Sequence, residues 1–123
     1  MSPEREFTRE EADALIPELT RLLPLLREAR QVVFRAGEQV KRTARANGGG
    51  TPGKEYWDAL STLRRELERL NGFGVLLRDP ETGLVDFPST RDGNPVFLCW
   101  RLGEQRVGYW HGGHSGFAGR KPI

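Results

Sequence analysis

From Ala12 to Val40 the apolar residues fall three or four positions apart, a spacing that only a helix turns into one continuous face. They are Ala12, Leu15 and Ile16, Leu19, Leu22 and Leu23, Leu26, Ala29, Val33, Ala36 and Val40. The spacing returns at Tyr56, Ala59 and Leu60, Leu63, Leu67 and Leu70. Between the stripes, Asn47-Gly48-Gly49-Gly50-Thr51-Pro52-Gly53 has the composition of a loop, over 47–53. Two amphipathic helices on a short connection predict an antiparallel helical hairpin over 7–71. Thr8 and Glu11 have the spacing of a capping box, and Phe7 is placed to staple onto Ala12. Pro17 and Pro24 lack the N–H that a helix interior uses. They predict one long kinked helix, bent at first and straight from about Leu25 to Ala46. Asn71-Gly72 predicts the end of the second helix, over roughly 54–71.

After residue 72 the period changes. Val75 to Leu77 and Gly83 to Phe87 read as short strands, with Asp79-Pro80-Glu81-Thr82-Gly83 as the turn between them. Asp92-Gly93-Asn94 reads as another turn. Val96 to Leu102 and Gln105 to His111 read as a hairpin closed by a type II′ loop at Gly103-Glu104. That register pairs Val96 with His111 and Cys99 with Gly108, which puts Cys99 and His111 on opposite faces. A loop longer by one residue reverses the assignment. Residues 73–111 make the β-rich part. Residues 112–123 read as a glycine-rich coil that Phe117 pins to the body. The expected class is α+β, a helical hairpin packed on a small antiparallel sheet, with 1–123 as a single domain.

Composition narrows the function. Cys99 is the sole cysteine, which excludes a disulfide scaffold. No apolar run reaches the roughly 18–20 residues of a membrane span, and the start is charged where a leader is apolar. A cytoplasmic protein with no membrane partner is expected. The 19 basic residues nearly balance 17 acidic ones, so no strong overall charge dictates a partner. Arginine outnumbers lysine heavily, and arginine favours bidentate contact with carboxylate or phosphate.

The motif-rich stretch begins with Gly83-Leu84-Val85-Asp86-Phe87-Pro88, then Arg91 and Gly93. Leu98-Cys99-Trp100-Arg101-Leu102-Gly103-Glu104 and Trp110-His111 follow. It ends with Gly116-Phe117-Ala118-Gly119-Arg120-Lys121-Pro122. With Phe7-Thr8, Glu11-Ala12, Leu15 and Pro17, these residues resemble the bacterial family called domain of unknown function 2203. The resemblance covers nearly the whole chain outside the glycine loop. It implies a small bacterial protein with a helical first half, and it brings no established activity. The family pattern has an acidic residue after the His and an Asp shortly before the Gly-Phe. Those places here are Gly112 and His114, so a carboxylate-dependent activity would be lost or altered in this chain.

Several chemistries fit the polar residues of that stretch. Arg91, Arg101, Arg106, Arg120 and Lys121 lie near Trp100, Tyr109, Trp110 and Phe117 in the sequence. Of these, Arg91, Arg101, Trp110 and Arg120, with His111, suit an anionic ligand, nucleic acid included, because arginine contacts phosphate and aromatic rings stack on bases. Asp86, His111 and His114 suit a divalent metal, with Cys99 able to complete a tetrahedral set, since zinc accepts Asp, His and Cys together. No second ligand pair follows, however, and the expected register opposes using both Cys99 and His111. A Cys99–His111 thiolate pair is a further option, opposed by the mid-strand position of the thiol. The helix stripes and open sheet edges point to a homodimer through the helices. The leading expectation is a non-enzymatic module that binds an anionic ligand on the sheet and tail, with the helices serving assembly. The alternatives are a metal-dependent enzyme at Asp86, His111 and His114, and a dimeric adaptor with no ligand.

Overall fold

A computed structural model describes residues 5–47 and 52–123. Gly48 to Thr51 of the expected loop lie outside the described residues. The chain is α+β: helices pack together in the first half, and a five-stranded antiparallel sheet follows.

Thr8 caps α1 (Arg9–Ala14) through the expected capping box, its hydroxyl accepting from Glu11 N–H while Glu11 accepts from Thr8 N–H. Phe7 and Ala12 are both buried in the core. The chain breaks at Leu15 and resumes as α2 (Ile16–Asn47), with Pro24 inside it. The expected interruption is thus corrected. Pro17 sits in the first turn of α2, where no N–H is needed, so the break falls just before it. Pro24 does not end the helix. Helix α3 (Lys54–Phe73) runs past Asn71-Gly72 to Gly74, the actual stop. Gly74 has φ +84, the left-handed conformation that closes a helix and that a side chain resists. Arg69 ties the two long helices together, donating to Glu18 on α2 and to the buried Glu66 on α3.

The strands β1 (Leu76–Asp79), β2 (Leu84–Arg91), β3 (Asn94–Arg101), β4 (Tyr109–Gly112) and β5 (Lys121–Pro122) lie in sequence order. Gly83 bridges β1 and β2 at φ +72, and a Cβ there would meet Leu102 Cβ at 2.6 Å. Asp92 and Gly93, both at positive φ, make a two-residue turn flanked by the Arg91–Asn94 pair. The last twelve residues are not all coil, because Phe117–Gly119 forms one 3-10 turn and Lys121–Pro122 joins the sheet beside β4.

The expected β3–β4 hairpin is corrected. Val96 pairs with Gly112, Phe97 with His111 and Cys99 with Tyr109. The cause is Val107. It leaves the sheet, is fully buried in the core, and gives its N–H to Asp13 on α1 at 2.7 Å. The connection from Leu102 to Gly108 is therefore long, and the register shifts by one residue.

That shift decides which residues share a face. Val85, Phe87, Leu98 and Trp100 face the helices and form one core with Leu19, Leu22, Leu23, Leu26 and Leu70. Asp86, Cys99 and His111 point to the opposite face.

Candidate functional site

The sheet face turned away from the helices carries a buried polar group. Asp86, Cys99 and His111 are 2%, 0% and 4% exposed, and one ligand-type atom from each lies within 4.8 Å of the others. His111 Nε2 lies 3.0 Å from both Asp86 carboxylate oxygens, and Nδ1 lies 2.8 Å from Gly112 O. Both ring nitrogens thus face oxygen acceptors, and the tautomer sets which of them donates. Arg78 completes the group, its Nε donating to Asp86 at 2.8 Å while its guanidinium lies over Phe97. Burial pushes the Cys99 thiol up, so it stays protonated, with the Arg120 guanidinium 3.9 Å from its sulfur.

This arrangement bears on the chemistries the sequence allowed. Cys99 and His111, expected on opposite faces, share one. The metal set of Asp86, His111 and His114 is not brought together: His114 is exposed in the turn after β4, and Cys99 stands in the third place. Asp86, Cys99 and His111 are residue types that could hold zinc. In this geometry the carboxylate is occupied by Arg78 and His111, the thiol is protonated, and two guanidinium groups lie close by. A buried protonated thiol is also a poor nucleophile.

Arg120 makes a bidentate pair with Glu104, at 3.2 and 2.8 Å, and lies over Tyr109 and Phe117. Glu104 also accepts from Arg101 N–H, and its carbonyl accepts from Trp100 Nε1–H at 2.9 Å. Arg120 thereby clamps the tail to the β3–β4 connection. Burial pushes the Glu104 carboxyl up, but its bonds to Arg120 and the Arg101 N–H outweigh this and hold it below the ordinary value of 4.5. A lowered carboxylate stabilises the fold above its unfolded pKa and loses that contribution as pH falls through the folded one. Acid titration from 4.5 downward is therefore expected to loosen the tail, read as a near-ultraviolet circular dichroism change from Trp100 and Tyr109. Glu104→Gln should remove that step; identical titrations of the two proteins would contradict it.

The five expected ligand residues divide. His111 and Arg120 are held by carboxylates on the outer face. Arg101 lies over the half-exposed Phe117. Arg91 and Trp110 belong to the other face, at the end of the sheet, where the Arg91 guanidinium stands 4.6 Å from the indole centroid. Lys121 joins them from β5, its Nζ 5.3 Å from the same centroid. Arg91 and Lys121 are exposed and make no ion pair among the described residues. No spacing in the sequence marks Arg78, because strand pairing alone brings it to its place.

Fold and site define an α+β protein in which a helical hairpin lies on one face of a meander sheet and a buried Asp–His pair on the other. A family model described as an uncharacterized conserved protein, DUF2203, matches residues 5–123, and the chain belongs to that family. No curated protein and no solved structure matches it. No described helix is long and apolar enough to cross a membrane.

Proposed function

We propose that the chain is a non-enzymatic binding module for a phosphate-bearing polyanion, single-stranded nucleic acid being the form to test. One observation carries the reading: two exposed cations from different strands, Arg91 and Lys121, flank the half-buried indole of Trp110 and form no ion pair among the described residues. Cations beside an aromatic ring supply phosphate contact and a stacking surface together. The Asp86–His111 pair serves as architecture in this reading, holding β2 to β4 beneath the site. The reading calls on no metal.

Fluorescence anisotropy with mixed-sequence single-stranded oligonucleotides tests it. Two phosphate contacts predict a slope of about −1.4 in log affinity against log salt, at about 0.7 per contact. Binding is strongest at low salt. No binding at low salt would sink the nucleic-acid form.

A further inference from the structure

Helix α3 presents two stripes. Ala59, Leu63, Glu66 and Leu70 turn toward α2 and the core. Trp57, Leu60, Arg64, Leu67 and Asn71 follow one another at alternating three- and four-residue steps on another face, the spacing of a helix–helix seam. Trp57 is 54% exposed and Leu67 41%. Leu60, Leu63 and Leu67 border a groove of about 470 Å³, whose far wall is Leu76 and Leu77 at the start of β1. β1 is also an edge strand, with one side unpaired. Beyond Ala29, no described residue from 30 to 43 or from 54 to 65 is buried, so the outer hairpin has no third layer against it.

We infer that this face is the contact between two copies of the chain, packed antiparallel with the two-fold axis beside Leu67. The charges favour a second copy over another partner. Arg64 and Glu68 stand one turn apart on either side of Leu67 and form no ion pair with each other. Cation before anion is the poorer order for an intrahelical pair. Across a two-fold axis the order is corrected: Arg64 of each copy faces Glu68 of the other, giving two ion pairs from one self-complementary patch. The same alignment sets Leu67 against Leu67 of the second copy and brings Leu60 toward its Leu76 groove. Nothing in this contact uses Arg91, Trp110 or Lys121.

Light scattering on the eluting chain, across a concentration series, tests the inference. A mass twice 13.9 kDa is expected. Leu67→Glu, exposed and so harmless to the fold by circular dichroism, should weaken the dimer about tenfold or more, and Arg64→Glu should do likewise through like-charge contact. Arg64→Glu combined with Glu68→Arg should restore it. A monomer at every concentration, a dimer indifferent to Leu67→Glu, or no recovery in the double variant would each overturn the inference.

Discussion

Asp86→Ala is expected to destabilise the fold by about 3–5 kcal/mol, because it removes a buried carboxylate on which two donors depend. The carboxylate is 2% exposed and accepts from two donors on different strands, Arg78 and His111. Its loss strands the His111 ring in a site that water does not reach. Chains of this size have total stabilities of about 5–15 kcal/mol, so the loss is a large share. The denaturation midpoint in urea should fall while the slope stays the same. His111→Ala should cost a similar amount. The double variant should cost less than the sum, because the two residues share one interaction. A loss under about 1 kcal/mol for Asp86→Ala, or strict additivity, would contradict an architectural pair.

Trp100→Ala carries the second large effect, about 3–5 kcal/mol, from lost burial and the cavity left behind. Trp100 is fully buried, stands opposite Val85 in the sheet, and faces Leu19, Leu22 and their neighbours. Its indole N–H also holds the carbonyl of Glu104, the residue that Arg120 clamps. Trp100→Phe keeps most of the ring and should cost less, about 1–3 kcal/mol, while loosening the tail through the abandoned carbonyl. Urea melts measure the stability of both variants. Hydrogen exchange at Arg120 and Ile123 separates the two contributions, since the indole N–H, unlike the buried ring, bonds directly to the connection that the tail docks on. If Trp100→Phe matches wild type in exchange, the hydrogen bond does not brace the tail.

The legible part of the fold was local. Stripe spacing marks both long helices, Thr8 and Glu11 mark the first cap, and Asp79 to Gly83 marks a turn. What could not be read depends on contacts far apart in the chain. Gly103-Glu104 has the residues of a tight hairpin loop, yet Val107 gives its N–H to Asp13, 94 residues away, and fills the core instead of extending the strand. That single exchange reverses the faces of Cys99 and His111. The site was legible as a set of residue types but not as a partition. Nothing local says that Arg120 is paired with Glu104 while Arg91 is left free, or that β5 delivers Lys121 to Trp110. Helix α3 shows a related ambiguity. Its apolar residues read as one stripe, and only the burial of Leu70 beside the exposure of Leu67 reveals two.

The central claim is that the free cations at Trp110, not the paired ones at Asp86 and Glu104, contact the ligand. The most direct measurement is a two-dimensional nitrogen-15 NMR titration of the full chain with a single-stranded oligonucleotide at low salt. The account predicts shifts at Arg91, Lys121 and the Trp110 indole N–H, with Asp86 and His111 unmoved. Arg91→Ala with Lys121→Ala should abolish them and reduce the salt slope by about 1.4. Shifts centred on His111, Cys99 and Arg120, or none at all, would contradict it.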